Sequence, residues 1–125
     1  MKAPRSFEAI VEEILGRDPR YAREAYLFVQ LALDFYREKE GENAERTHIT
    51  GPELLRGVRG LAFDQYGPLA RTVLNHWGLM RGSDVGEVVY NLIDHELMSR
   101  SDSDRKEDFD GVMEFDESME REYYG

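Results

Sequence analysis

The run Ile93-Asp94-His95-Glu96 sets an imidazole between two carboxylates, the side-chain types from which proton-transfer catalysis is built. Successive helix positions point in different directions, so these three groups cannot converge on one proton without help from elsewhere. His48, His76 and His95 are spaced by 28 and 19 residues, which is not the i, i+4 spacing of a helical metal pair. A second constellation is the stretch Lys106 to Glu117, KEDFDGVMEFDE, which approximates a calcium-binding loop. Asp108, Asp110, Gly111, Glu114 and Glu117 occupy its third, fifth, sixth, ninth and twelfth places, with Met113 as the usual apolar eighth residue. Its first place is wrong: calcium needs an oxygen there, and Lys106 brings a positive charge. A chance match within an acidic stretch is the better account.

The chain contains no cysteine, which removes disulfides, thiolate nucleophiles, zinc–thiolate sites and iron–sulfur clusters. It also carries no phosphate-binding loop, dinucleotide fingerprint or recognisable Ser/His/Asp pattern. No catalytic, metal-ligating or cofactor-binding residue is therefore assigned. Enzymatic activity is the weakest class of function.

Charge says more. With 26 acidic against 16 basic side chains, the 125-residue chain has a net charge of -10. Residues 101–125 hold 10 acidic and 3 basic groups, so most of the excess lies near the C-terminus. Such a field repels phosphate backbones and attracts cations within about 8 Å at physiological salt. Nucleic-acid binding is thereby disfavoured, and a protein partner is expected to be basic.

Helical periodicity organises the rest. Phe7, Ile10, Val11, Ile14 and Leu15 form an apolar stripe behind Ser6, a good N-cap, and predict a first helix ending at Gly16 and Asp18-Pro19. The segment 19–40 predicts a central helix, apolar over most of its circumference between Ala25 and Tyr36, with Arg23, Gln30, Asp34 and Arg37 near one polar stripe. Such a helix should be surrounded, with Tyr26, Phe28, Val29, Leu33 and Phe35 packed by others. Glu38 to Arg46 reads as a solvated connection. Thr50-Gly51-Pro52-Glu53 is a capping box that opens a third helix, in which Gly57 and Gly60 suggest close backbone packing. Tyr66-Gly67-Pro68 ends that helix and starts a short fourth one with Leu69, Ala70, Val73, Leu74 and Trp77 on its apolar face. Ser83 or Asp84, with Glu87, caps a fifth helix carrying Val85, Val88, Val89, Leu92, Ile93 and Leu97.

The N-terminus, with Glu8, Glu12 and Glu13 close behind it, does not read as a signal peptide. The longest apolar stretch is shorter than the ~18 residues a membrane span requires. A cytoplasmic protein with no membrane association is expected.

Four stretches, Tyr21-Ala22-Arg23-Glu24-Ala25-Tyr26, Ile49 to Leu55, Tyr66 to Ala70 and Asp84 to Val89, resemble a family of small bacterial proteins of unknown function over nearly the whole chain. The resemblance implies a compact, mainly helical protein and carries no activity, substrate or catalytic residues.

These readings predict an all-α, five-helix domain over residues 1–100 around the central helix 19–40. An acidic segment, 101–125, is expected to contain a short helix or a hairpin at Asp110-Gly111, to dock through Phe109, Val112, Met113 and Phe115, and to fray after Glu117. Function is read as a non-catalytic protein-interaction or adaptor module. Its candidate interaction residues are Tyr90 and Asp94 on the fifth helix and Phe109, Phe115, Tyr123 and Tyr124 in the acidic segment. A homodimer stays open. The alternative is a winged helix-turn-helix regulator made from the fourth helix, the fifth as reader and the hairpin as wing. Against it, Asp84 to Leu97 offers four acidic residues and no Lys or Arg to a groove.

Overall fold

Ser6 caps the first helix through its hydroxyl, which accepts from the Ala9 N–H at 3.1 Å. In the computed structural model, which describes residues 6–40, 49–98, 106–111 and 113–124, this helix, α1, runs over Phe7–Arg17. It passes Gly16 and ends only at Asp18-Pro19, where the Asp18 N–H donates to Ile14 O at 2.8 Å. The central helix α2 spans Arg23–Glu40. It starts later than Pro19 because residues 19–22 turn the chain, and the Ala22 N–H is held by Trp77 O at 3.0 Å.

Helix α3, Gly51–Tyr66, opens with the expected capping box. Glu53 Oε1 accepts from the Thr50 N–H, the Thr50 hydroxyl accepts from the Glu53 N–H, and Tyr36 on α2 donates to Glu53 Oε2 at 3.0 Å. One capped turn thus also fixes the register of α3 against α2. The close approach signalled by the glycines is real at Gly57, where a Cβ would stand 2.8 Å from Ala32 O and 3.0 Å from the Tyr36 Cβ. After a 3-10 turn at Gly67–Leu69 come α4, Ala70–His76, and α5, Gly82–Asp94. Leu69, expected on the apolar face of α4, is instead exposed in that turn. Helix α5 begins ahead of its expected cap. Asp84 is its third residue, and its Oδ2 accepts from the Met80 and Arg81 N–H groups at 2.9 and 3.2 Å.

The acidic segment departs most from expectation. A 3-10 turn at Lys106–Phe109 leads to the bend at Asp110-Gly111, where Gly111 has φ +66°. No hairpin forms there among the described residues. Glu114 instead makes an isolated antiparallel bridge to Arg81, with hydrogen bonds from the Gly82 N–H to Met113 O and from the Phe115 N–H to Met80 O. Nor does the chain fray after Glu117: Ser118–Tyr124 is a sixth helix, α6, tied down by fully buried Met119 and by Arg71, which donates to Glu120 at 2.8 Å.

Phe109, Phe115 and Met119 belong to the same buried cluster as Val11, Tyr26, Leu55 and Val89. The described architecture is an all-α domain with one core, to which the acidic segment contributes side chains of its own.

Two stability tests follow from this packing. Gly57→Ala drives a methyl into the α2 backbone and should lower stability by about 1–3 kcal/mol. Gly16→Ala meets no atom within 4 Å and should raise stability by about 0.5–1 kcal/mol. Urea denaturation of the pair separates the effects by sign. Phe109→Ala should cost about 3–5 kcal/mol in the same measurement; an unchanged midpoint would mean that the segment is a dispensable arm.

Candidate functional site

The constellations with chemical potential are taken apart by the fold. Asp94 is exposed at the end of α5, Glu96 lies beyond it at φ +62°, and His95 Nδ1 donates to Asn91 O at 2.9 Å, so the three groups do not share a site. His76 is exposed on α4, and His48 lies outside the described residues. Among the described residues no three His, Asp or Glu side chains are grouped so as to hold a metal ion. Within the calcium-loop-like stretch, Phe109 and Phe115 point into the core.

The expected interaction residues fare unevenly. Phe109 and Phe115 are buried and cannot meet a partner in this conformation. Tyr90, a candidate anchor only if exposed, is half-buried against the core. Tyr123 stacks on Phe63 of α3 at 6.0 Å, and the more exposed Tyr124 meets it edge-on at 5.3 Å. Together with the Arg59–Glu122 ion pair, these contacts seat α6 on α3.

Among the described residues, a dense polar cluster joins the α1–α2 turn to α5. Asp18 accepts from Arg20 Nε at 2.8 Å, Arg20 Nη2 at 2.7 Å and Asn91 Nδ2 at 3.0 Å. Arg20 also bonds Glu87 at 2.9 Å, and Asn91 donates to the Tyr26 hydroxyl at 3.0 Å. Tyr21 donates to Asp84 Oδ1 at 2.8 Å. The Arg20 side chain, followed by Asn91 and the Arg20 N–H, holds the Asp18 carboxyl far below its ordinary value despite burial. Burial first, and then the Asp84 carboxylate, pushes the Tyr21 hydroxyl up. Asp18 and Asp84 each accept at least three hydrogen bonds, and the tyrosines stay protonated. The cluster locks the turn over the polar side of α5, the face a DNA-reading helix would need free.

The opposite situation holds on α2. Its outward stripe reads Glu24, Leu27, Leu31, Asp34 and Glu38, all exposed, at alternating intervals of three and four residues. Leu27 and Leu31 are 49% and 48% exposed, one turn apart at its centre. Of the polar residues read as one stripe, Arg23 and Asp34 are exposed, whereas Gln30 turns inward and donates to Leu97 O at 3.1 Å. A groove of about 360 Å³ between α2 and α3 flanks the C-terminal half of the stripe, over Phe28, Phe35, Leu61 and Tyr66. Asp34 and Glu38 stand at its edge. A smaller hollow of about 130 Å³, formed by Phe7 and Val11 of α1 with Leu27, flanks the other half beside Glu8 and Glu24.

Periodicity alone could not isolate this stripe, because α2 is apolar on nearly every side. The usable signal was the acidic residue at each end of a 3-4-3-4 series. No family model, curated protein or solved structure matches the chain.

The Asp18 cluster has a definite pH signature. A carboxyl depressed in the folded state stabilises the fold above its ordinary value of 3.8, and that contribution is lost as pH falls below it. Asp18→Asn should therefore lower stability by about 1–2 kcal/mol at neutral pH and flatten the decline below about pH 4, as followed by urea denaturation.

Proposed function

We propose that the chain is a cytoplasmic, non-catalytic protein-interaction module that engages its partner through the outward face of α2. The observation that carries this reading is the pair of half-exposed leucines at the centre of the main helix. Single exposed apolar residues are ordinary on protein surfaces; aligned ones bordered by hollows are characteristic of contact faces. The fate of the polar groups supports the same reading. The best-connected carboxylates and tyrosines serve as internal ties, which leaves no poised base or nucleophile among them. The helix-turn-helix alternative finds no such support, because the α1–α2 turn covers the polar side of α5 through Arg20–Glu87 and Tyr21–Asp84.

The test pairs stability with capture. If these leucines serve binding, Leu27→Gln/Leu31→Gln should leave the melting temperature within about 3 °C, as substitutions at exposed helix positions do. In native cell extract the tagged wild-type protein should then retain at least one near-stoichiometric protein that the double variant loses. Identical capture by both proteins, or a large fall in the melting temperature, would remove the basis of the reading.

A further inference from the structure

Resting on that reading, we propose that the stripe on α2 docks a cationic amphipathic helix. The partner's apolar side chains lie along Leu27 and Leu31, and its lysines or arginines meet Glu24, Asp34 and Glu38. The geometry points to a helical occupant because the series 24, 27, 31, 34, 38 repeats every three and four residues, the spacing by which two helices pack side by side. From Glu24 to Glu38 the stripe is about 21 Å long, the length of a four-turn helix. The hollows on its flanks give the partner's larger side chains room beside each leucine.

Charge selects the partner. Glu24, Asp34 and Glu38 have no ion-pair partner among the described residues, and Glu8 adds a further carboxylate beside the α1–α2 hollow. The neighbouring cations are engaged: Arg23 pairs with Glu12, and Lys39 sits over the Phe35 ring at 5.4 Å. A second copy of this chain fits poorly. Packed antiparallel, its stripe would set Glu24 against Glu38 and Leu27 against Asp34; packed parallel, it would set each carboxylate against its own counterpart. Both arrangements bring like charges together over an apolar strip. A basic helix meets the same carboxylates with attraction that also orients the encounter.

The test uses a fluorescein-labelled peptide of about 15 residues with leucine and lysine at helical spacing, enough to match the stripe. Two companions control for its features: the same residues shuffled to destroy the apolar face, and a version with glutamine in place of lysine. In fluorescence anisotropy, the ordered leucine–lysine peptide should bind the wild-type protein at least about tenfold more tightly than either companion and loosen as salt rises. Leu27→Gln/Leu31→Gln and Asp34→Lys/Glu38→Lys should each weaken binding about tenfold. Asp110→Lys/Glu117→Lys makes the same change of net charge at exposed sites of the acidic segment and should alter affinity by less than about threefold.

Equal losses from the two charge-changing variants would reduce the effect to general attraction by an acidic protein and overturn the proposal. Equal binding of the glutamine peptide would remove the cationic requirement while leaving the interaction reading intact. A dimer seen in sedimentation equilibrium and dissolved by Leu27→Gln/Leu31→Gln would give the face to a second copy, again overturning the basic helix alone. The interaction reading itself falls only with the capture experiment. Circular dichroism on each variant establishes that the fold is retained.

Discussion

Phe109 enters a slot that only glycine could leave open, and the rest of the structure depends on that fit. A Cβ at Gly82 would stand 2.8 Å from the Phe109 carbonyl oxygen, and one at Gly86 would stand 3.0 Å from its ring. Gly51, at the start of α3, abuts Asp108 in the same way. Two helix beginnings, distant in sequence, are thus held together by a turn that arrives later in the chain. Without the ring, α3 and α5 would face a void at their N-terminal ends, and packed interiors do not absorb such a loss without strain.

Docking of residues 101–125 through Phe109 and Phe115 was legible in the sequence, and both side chains are buried; the helix after Glu117 was not. The charge of -7 over residues 101–125 marks a solvated segment, and among the described residues most of these side chains are exposed or half-buried. The segment's role is decided by Phe109, Phe115 and Met119, spaced six and four residues apart with neither helical nor strand period. Periodicity detects faces, and this segment docks by single points. The bridge between Arg81 and Glu114 is equally invisible, since nothing local marks either residue as a pairing partner.

The regular elements were legible for the complementary reason. Thr50 and Glu53 make their capping box as written, and the interruptions at Pro19, Gly67-Pro68 and Gly78 separate the helices as steric rules require. Gly57 announced close packing because glycine within a helix is unfavourable unless a neighbour needs the space. Legibility failed where tertiary context overruled a local preference. Asp84 was read as a cap and serves as the third residue of α5, because the bridge to residues 113–115 already orders the backbone ahead of it. On α2, the sequence placed the helix at the centre but could not say which apolar residues stayed outside. That choice is made by α1, α3 and α5, which pack around α2 and leave Leu27 and Leu31 exposed.

Magnitudes bound what such a face can do. Completing the burial of two leucines that are already half covered recovers about 1.5–3 kcal/mol. Bringing two molecules together costs more than that in lost translational and rotational freedom, by any estimate from about 4 kcal/mol upward. The leucines alone therefore cannot hold a partner, and the flanking hollows and carboxylates have to supply the difference. Carboxylates in water contribute modestly to affinity, about 0.2–1 kcal/mol for each exposed pair, yet they speed and orient the encounter. The expected complex forms quickly, dissociates readily and responds to salt. That behaviour suits a surface built on a rigid central helix, where binding requires little rearrangement of the chain itself.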